Sequence, residues 1–542
     1  MNRKQVLVAV TLLLWVFISI VSLGYGLAFV GFIDRSLTNI WNNFTIKKLF
    51  FLITIGFCLI NGIAAFLSLG MPLSYWALLI VSTPSLVIVA IVFSRVPAMV
   101  FPRPLKWKSA VLIACLLALL VLTLYLTTGL VTNADTYIYH AQSIRWIEEY
   151  PVVRGLGNFF NRLAYNSNWF VQNALFSFAW VNGKSFHVLN GFLVWLASSF
   201  WLVNFFQMDA DEPPRLFPWV GLLLLAFGLL TFGSEASAPS TDLPAAYLSW
   251  LGVFFLIDFT QHQENTTALY AGAFSLMFAG LVKISIAPLF LLLAFVLLRL
   301  VHQKKKREIL ILLCTLAFLI LPWMARNIFI SGYLVYPVSF TGLNVEWKIP
   351  PGLVAGDARG INAWGYHPRV SVQEIFSMPL KDRILLWFHN ITFNQQVFFV
   401  ISLLSPIPFW ASHWIYRKKE SQINGFPFLV SFSFYASLIF WLLTSPNLRF
   451  GYVYLLFLVS ISISSLVVIV LSWLRFHKAG WFRFALQVIL ILFLVGLTVQ
   501  SFEPLDFRSR LFTPLDYAER STYSCTINGE ETTIFCASDS PR

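Results

Sequence analysis

Residues 110–140 read AVLIACLLALLVLTLYLTTGLVTNADTYIYH, and this stretch decides the fold. The run from Ala110 to Leu130 contains no charged side chain, and about 20 apolar residues suffice to cross the hydrocarbon core of a bilayer. Asp135 follows shortly after this run ends. The stretch therefore predicts a membrane-spanning helix that delivers a carboxylate to the membrane surface.

Apolar segments of similar length recur along the chain. Hydrophobic residues make up 58% of the sequence and charged residues only 11%, whereas soluble domains carry about 25% charged residues. The sequence thus predicts an all-α polytopic membrane protein with about fourteen transmembrane helices. The predicted spans are Val6–Val30, Phe50–Leu69, Leu73–Phe93, Ala110–Leu130, Phe186–Phe206, Phe217–Phe232, Leu243–Ile257, Ala268–Val282, Ile286–Leu300, Ile309–Ala325, Val397–Trp414, Phe426–Leu443, Tyr452–Trp473 and Phe482–Val499.

Basic residues are concentrated on alternate connections, as the positive-inside rule requires. If the connection with Lys304–Arg307 is cytoplasmic, the other basic connections share its side, and those around Met71 and Glu235 lie outside. The exception is the N-terminal pair Arg3 and Lys4, which falls outside, and an error in the first three helices would explain it. The net charge of +13 therefore reflects membrane topology and excludes a nucleic-acid partner. The other basic connections carry Lys47, Lys48, Arg95, Arg103, Lys106, Lys108, Arg417–Lys419, Arg475 and Lys478.

Two long loops face outward in this topology, Val131–Lys184 and Arg326–Gln396. The first loop opens with helical spacing, in which Ile138, Ala141 and Ile144 share a face, and this predicts a short interfacial helix lying on the membrane. The second loop is rich in Gly, Pro and Trp and predicts an ordered cover over a site.

The predicted domain organisation has three parts. Residues 1–109 form an N-terminal extension of about three helices, residues 110–500 the transmembrane core with its external loops, and residues 501–542 an extracytoplasmic tail. In the tail, the sequence predicts a hairpin that turns near Asn528-Gly529. Cys525 and Cys536 either form a disulfide across this hairpin or remain free thiols.

Ionisable residues avoid the interiors of the predicted spans, where each would cost about 2.5–3.5 kcal/mol. They collect instead at the outer helix ends. Each also has a purely structural interpretation: the acidic residues could cap helices, the arginines could anchor helices at the membrane surface, and the lysine could mark a boundary between two helices. Six such positions on one membrane face nevertheless predict a site at the interface, suited to a substrate with a lipid tail and a polar head. They are Asp135, Glu235, Asp242, Lys283, Arg326 and Arg449.

At these residues the chain resembles the GT-C superfamily of integral membrane glycosyltransferases, which use polyprenyl-phosphate-linked sugars. Within bacteria it looks most like uncharacterised GT-C-like proteins of cell-surface polysaccharide systems. The resemblance covers roughly residues 110–499. Three apolar helices precede this region, and the acidic motif is a lone Asp135 where many GT-C enzymes have an acidic pair. The motifs that carry it are Asn133-Ala-Asp135-Thr-Tyr137-Ile-Tyr139-His140, Ser240-Thr-Asp242-Leu-Pro244, Lys283-Ile-Ser-Ile-Ala-Pro288, Arg326-Asn327 with Ser331-Gly332-Tyr333 and Tyr336-Pro337, and Pro446-Asn-Leu-Arg449-Phe450.

The resemblance implies transfer of a sugar from a polyprenyl-phosphate donor to a glycan or lipid acceptor, on the periplasmic face of the bacterial cytoplasmic membrane. It implies that Asp135 acts as the base and that Asp242 assists acceptor binding or orients the site. Attack opposite the departing phosphate predicts inversion at the anomeric carbon. Cationic side chains would neutralise the phosphate, and aromatic ones would orient Asp135 or contact the sugar. The cations are Arg449, Arg326 and Lys283, and the aromatic residues are Tyr137, Tyr139 and His140.

The sequence leaves a divalent metal open, held by Asp135 with His140 or by Asp357 with His367, although neither spacing is a known ligand signature. It contains no nucleotide-binding glycine pattern, which argues against ATP or nucleotide-sugar chemistry. Two other functions remain open. One is a polysaccharide polymerase or ligase with lipid diphosphate donors, and the other is a flippase or transporter for lipid-linked oligosaccharides.

Overall fold

The computed structural model describes residues 6–34, 45–95, 107–208, 215–261, 265–417 and 425–473, isolated positions between 485 and 496, and the strands 523–527 and 530–534. The protein is an all-α polytopic membrane protein, as predicted. Within this part of the chain, eleven helices are long and apolar enough to cross a membrane, or up to twelve if the bent pair Phe393–Leu404 and Pro406–Ile415 forms one span. Every predicted span coincides with helix except Phe482–Val499, which lies largely outside the described residues.

The described residues contain 21 α-helices. In order, the first are α1 (Val6–Asp34), α2 (Ile46–Leu67), α3 (Tyr75–Arg95), α4 (Trp107–Thr127), α5 (Ala141–Glu149), α6 (Leu156–Phe159), α7 (Asn168–Leu175), α8 (Ala179–Asn182), α9 (Leu189–Phe206) and α10 (Leu216–Phe232). They are followed by α11 (Asp242–Gln261), α12 (Thr266–Val282), α13 (Phe290–His302), α14 (Lys306–Ser331), α15 (Pro351–Tyr366), α16 (Val372–Ser377), α17 (Leu380–Asn390), α18 (Phe393–Leu404), α19 (Pro406–Arg417), α20 (Phe426–Thr444) and α21 (Leu448–Trp473).

The centre of the bundle differs from its periphery in burial. The most apolar windows of α2, α9 and α11 are 78%, 83% and 94% buried, whereas those of α3 and α14 are 33% buried. The first three therefore lie inside the bundle, and the other two turn much of their surface outward. Since α2 belongs to the predicted N-terminal extension, part of that extension packs within the core helices.

Helices α1 and α2 approach each other closely enough for backbone contact. A Cβ atom on Gly56 would lie 1.7 Å from the carbonyl oxygen of Ser22, and one on Gly26 would lie 2.0 Å from that of Leu52. No side chain larger than hydrogen fits at either position. Small residues at such crossings let membrane helices pack backbone against backbone.

The first long loop enters the bundle and is not confined to its surface. All eight residues of α7 are buried. In α2, Asn61 donates through Nδ2 to the carbonyl oxygen of Asn168 (2.9 Å) and to Oε1 of Gln172 (3.2 Å), and Asn168 donates back to Asn61 Oδ1 (2.8 Å). These bonds satisfy polar groups that would be costly to bury alone, and they fix the loop to the central helix.

The chain crosses between two faces, and we call the one that carries residues 131–184 and 326–396 the loop face. In the first half of α1, Trp15 Nε1 donates to the carbonyl oxygen of Val188, just before α9 on the loop-face side (2.9 Å). At the other end of α1, the carbonyl oxygen of Ile33 accepts from Arg307, at the start of α14. Helix α1 therefore begins at the loop face, and the suspected error in the first three helices is not found. Arg3 and Lys4 themselves lie outside the described residues.

The second long loop is largely helical and is fixed to the first by Asp357 of α15. Its carboxylate accepts hydrogen bonds from the hydroxyls of Tyr165 and Tyr336 (3.2 Å for the latter) and from Asn161 Nδ2 (3.2 Å). The Arg162 guanidinium lies 3.8 Å away. Helix α15 begins at Pro351, whose fixed φ suits the first position of a helix. We call this set of contacts the Asp357 latch.

The C-terminal tail contains the predicted hairpin. Strands β1 (Tyr523–Ile527) and β2 (Glu530–Ile534) pair antiparallel, with Ile527 opposite Glu530. Asn528 and Gly529, where the turn was predicted, lie outside the described residues. The predicted disulfide involves Cys536, which lies outside the described residues.

Candidate functional site

Four charged side chains from four distant stretches meet at the loop face. Arg449 lies between two carboxylates, with Nη2 2.6 Å from Asp135 Oδ2 and Nε 2.9 Å from Asp242 Oδ2. The first contact is a hydrogen bond, and the second is an ion pair without hydrogen-bond alignment. Lys283 binds the other oxygen of Asp242, Oδ1. We call Asp135, Asp242, Lys283 and Arg449 the ionic cluster.

Helix ends bring these residues together. Asp242 is the first residue of α11, where the helix dipole stabilises a carboxylate, and Lys283 directly follows the last residue of α12. Arg449 is the second residue of α21, and its amide donates to Asn447 Oδ1 (3.0 Å). Because a helix that leaves the loop face is followed by one that returns, residues far apart in sequence arrive at the same level.

Asp135 is free to join the cluster because Asn133, two residues earlier, caps the following helical turn in its place. A cap residue accepts a hydrogen bond from the free amides of the following turn. Here Asn133 Oδ1 accepts from the Thr136 amide (3.2 Å), and the Asp135 side chain makes no capping bond. The interpretation of Asp135 as a mere helix cap is therefore wrong.

A π-helical turn, Thr136–His140, follows Asp135 and leads into α5. Its defining bond runs from the Ala141 amide to the Thr136 carbonyl, one residue longer than in an α-helix. The extra residue changes which side chains share a face. Ile144 packs inside the protein, whereas Ile138, within the π-helical turn, is 45% exposed, so the two isoleucines of the predicted apolar face have different surroundings.

Beside the ionic cluster, His140 is buried and Tyr139 is half-buried. Their rings are 4.4 Å apart, and the His140 ring is 5.2 Å from that of Phe170. Burial, with the nearby carboxylates of Asp135 and Asp242, raises the pKa of the Tyr139 hydroxyl, and burial lowers the pKa of His140 to about 4. Both side chains are therefore neutral at neutral pH. Neither ring nitrogen of His140 has a hydrogen-bond partner among the described residues.

The third aromatic candidate, Tyr137, has a bracing contact. Its hydroxyl donates to the carbonyl oxygen of Val131 (2.7 Å). This bond ties the π-helical turn to the chain that leaves α4. The structure thus gives Tyr137 a role in holding the segment that carries Asp135.

Phe450 belongs to the Pro446–Phe450 motif, but the sequence predicted no site role for it. The Lys283 ammonium lies 3.8 Å from the centroid of its ring, and the Arg449 guanidinium carbon lies 5.3 Å from it. An aromatic face attracts cations through its quadrupole. The sequence signal for this role was its position next to Arg449 in that motif.

Arg326 does not join the cluster. Helix α14 continues to Ser331 and ends at Gly332 with φ 81°, so Arg326 lies inside the helix and not at its exit. It is 3% exposed and donates to Asn166 Oδ1 (3.1 Å) and Ser68 Oγ (2.7 Å). Among the described residues, no carboxylate pairs with it. The predicted convergence of Arg326 with the other cations is therefore wrong.

Glu235 also lies outside the cluster, although on the same face. Both of its carboxylate oxygens accept from Asn133 Nδ2, at 3.0 and 2.8 Å. Asn133 thus links Glu235 to the cap of the π-helical turn. Of the six ionisable residues expected to converge, four do so.

The two metal sites that the sequence left open lack a full ligand set. In the part of the chain that is described, no group of three or more His, Cys, Asp or Glu side chains is placed to hold a metal ion. Asp135 is bound to Arg449, and Asp357 is engaged in the latch. His367 Nδ1 accepts from the Arg369 amide (3.2 Å).

Comparisons with known proteins identify a family. No curated protein and no solved structure matches the chain significantly. A family model described as a domain of unknown function, DUF8201, matches residues 9–456, a range that includes the whole ionic cluster. Since this match covers most of the chain, the protein belongs to the DUF8201 family.

Proposed function

We propose that the protein is a membrane glycosyltransferase of the GT-C type, which moves a sugar from a polyprenyl-phosphate donor to a glycan or lipid acceptor. The observation that supports this most is the ionic cluster at the loop face, where two carboxylates meet two cations. A carboxylate can accept the proton of an acceptor hydroxyl, and guanidinium and ammonium groups can stabilise a departing phosphate.

The proposed reaction uses each member of the cluster. The acceptor oxygen bonds to the anomeric carbon of the sugar while the bond from that carbon to the phosphate oxygen breaks. The electron pair goes to the phosphate, which Arg449 and Lys283 stabilise, and the acceptor proton goes to Asp135. Asp242 holds both cations in place. Attack opposite the departing phosphate inverts the anomeric configuration.

The neutral wall beside Asp135 suits a sugar. Tyr139 and His140 are uncharged at neutral pH and lie within electrostatic range of both carboxylates. Tyr139 is half-buried, and we assign it to sugar contact. His140 is 2% exposed and packs against the Tyr139 ring, so we assign it to orienting Tyr139.

The proposed location is the bacterial cytoplasmic membrane, with the loop face toward the periplasm. Lys306 and Arg307 open α14 on the opposite face, as the positive-inside rule expects of the cytoplasmic side. At the loop face, a lipid-linked donor would present its phosphate to the cluster while its polyprenyl chain stays in the bilayer.

The distribution of charge favours catalysis at the surface over transport. A flippase or transporter is expected to place polar and ionisable groups near mid-depth. In the described spans the charged residues lie near helix ends, and Arg326 is five residues, about 7.5 Å, from the end of α14. A polymerase or ligase would use the same cluster with a diphosphate donor, so identifying the donor distinguishes that reaction.

The test compares cells with and without the protein. Loss of the protein should lead to accumulation of a polyprenyl phosphosugar and remove a sugar from a surface glycan. In membrane assays with that donor, Asp135→Asn should lower transfer at least about 100-fold, the typical contribution of a general base.

The matched control is Asp258→Asn, the same substitution near the opposite end of α11, where Asp258 accepts from Asn265 (2.7 Å). It should leave transfer within about twofold, a surface-type effect. Full activity of Asp135→Asn would refute the assignment of the base. An unchanged pool of lipid phosphosugars, together with an unchanged surface glycan, would refute the proposed function.

A further inference from the structure

Arg449 is shared by two carboxylates that are held very differently. Asp242 is 7% exposed and contacts two cations, Arg449 and Lys283. Asp135 is 24% exposed, and Arg449 is its ion-pair partner in the structure. The two carboxylates therefore differ in how readily either can leave Arg449.

We propose, on the basis of the proposed function, that the donor phosphate replaces Asp135 as the partner of Arg449 and thereby releases the carboxylate that accepts the proton. Donor binding thus frees the Asp135 carboxylate from Arg449, so that it can act as the base. It also fixes the order of binding, with the donor before the acceptor.

Burial decides which carboxylate leaves. Removing Asp242 from its cations would strand Lys283 and Asp242 as unpaired charges in a buried place, which costs several kcal/mol. Asp135 has access to solvent and can exchange its ion pair for water. Asp242 therefore stays as the fixed counter-ion, and Asp135 is the exchangeable one.

Charge balance supports a one-for-one exchange. The resting cluster contains two positive and two negative groups, so it is neutral. A polyprenyl-phosphate sugar is a phosphodiester with one negative charge. When it takes the place of Asp135 on Arg449, the number of charges that the two cations face is unchanged. Guanidinium binds phosphate and carboxylate with the same planar fork of donors.

Release also frees the Asp135 oxygen that accepts the proton. Oδ2 of Asp135 accepts the 2.6 Å hydrogen bond from Arg449 Nη2, which occupies one of its lone pairs. A small movement is sufficient, because Asp135 makes no capping bond that would have to break. Asn133 and Tyr137 hold the backbone on either side during this movement.

The experiment measures binding of polyprenyl monophosphate, without a sugar, to the purified protein in detergent, with the uncharged polyprenol as the reference lipid. Because Asp135 competes with phosphate for Arg449, Asp135→Asn should bind the phosphate lipid about tenfold more tightly than the wild type, the size of one charge-assisted hydrogen bond. Asp135→Ser should behave in the same way, which guards against an effect peculiar to asparagine.

The control is Glu235→Gln, which removes one negative charge from the same face without touching Arg449. It should change the affinity less than about twofold, as expected for a screened charge. If Asp135→Asn and Asp135→Ser bind phosphate no more tightly than the wild type, or if Glu235→Gln matches their gain, the exchange is refuted while the proposed function stands. If neither wild type nor any variant prefers polyprenyl monophosphate over polyprenol, both proposals fail.

Discussion

The ionic cluster and the Asp357 latch both place a carboxylate near arginine at the loop face, yet they are built differently. Asp357 is surrounded by neutral donors, two phenols and an amide, and its arginine is 3.8 Å away. In the cluster, the ion-pair partners of Asp135 and Asp242 are the cations Arg449 and Lys283. Neutral donors satisfy a carboxylate permanently, whereas ion pairs can be exchanged for another ion.

This difference separates a structural contact from a reactive one. The latch joins the first loop, through Tyr165 and Asn161, to helix α15 of the second. The cluster joins helix ends that already pack together in the bundle, so the fold does not need its charges to bring them near. Buried ion pairs are weak evidence for stability. We therefore expect changes in the cluster to affect activity first and changes in the latch to affect stability first.

The largest expected effect is on the arginine that bridges the two carboxylates. Arg449→Lys keeps the charge but cannot contact Asp135 and Asp242 at once with a planar fork. We expect kcat/KM with the lipid-phosphosugar donor to fall roughly 100-fold, as when one oriented donor to a developing charge is removed.

The matched control is Arg162→Lys in the latch. Arg162 is 39% exposed and 3.8 Å from Asp357, so a lysine should serve as well, with kcat/KM within about twofold of the wild type. An equal loss of kcat/KM in the two variants would contradict the view that the cluster is reactive and the latch structural.

The sequence was sufficient to predict the membrane-spanning architecture and the membrane face on which the charged residues lie. Hydropathy and the positive-inside rule depend on local composition, and both survive folding because the bilayer imposes them. Alternation of helices then places Asp135, Asp242, Lys283 and Arg449 on one face without any knowledge of packing. Alternation of helices predicts on which side of the membrane a residue lies, but it does not predict a contact between two side chains.

Arg326 and the π-helical turn illustrate what sequence could not supply. An apolar window ends at the first charge, so Arg326 marked the predicted end of a helix that continues to Ser331. Its partners Asn166 and Ser68 come from a buried loop and a different helix, which no local pattern connects. The π turn depends on one extra residue in a hydrogen-bonded ring, and the 3.6-residue period used to assign faces conceals it.

A second prediction concerns how stability depends on pH through two histidines, His140 and His187. Burial lowers the pKa of His140 and of His187 to about 4, against about 6.5 in an unfolded chain. Between these values the unfolded chain binds more protons than the folded one. The two histidines therefore do not destabilise the fold above about pH 6.5, and the free energy of unfolding decreases as the pH falls toward 4. We expect the midpoint of thermal unfolding in detergent to be roughly 5 °C lower at pH 5 than at pH 7.5.

The latch should not share this dependence, because burial raises the pKa of Tyr165 and Tyr336 and both phenols stay neutral throughout this range. His140→Gln should reduce the acid-induced drop. His389→Gln, at an exposed position on α17, should leave it unchanged. An identical drop in all three proteins would place the acid sensitivity elsewhere.

The smallest expected effect belongs to the latch hydroxyls. The double variant Tyr165→Phe and Tyr336→Phe keeps the packed rings, 5.3 Å apart, but removes two of the donors to Asp357. Asn161 and Arg162 still reach the carboxylate, so the cost should be about 1–3 kcal/mol, seen as a fall of about 2–5 °C in the unfolding midpoint. Specific activity of the folded fraction should stay within about twofold, because these residues touch no member of the ionic cluster. Tyr150→Phe, at a 48% exposed position on the same loop, is the control and should shift neither quantity. If the double variant instead lost activity as severely as Arg449→Lys while keeping its unfolding midpoint, Asp357 would have to be counted among the reactive groups, and a carboxylate held by neutral donors could not be read as structural in this protein.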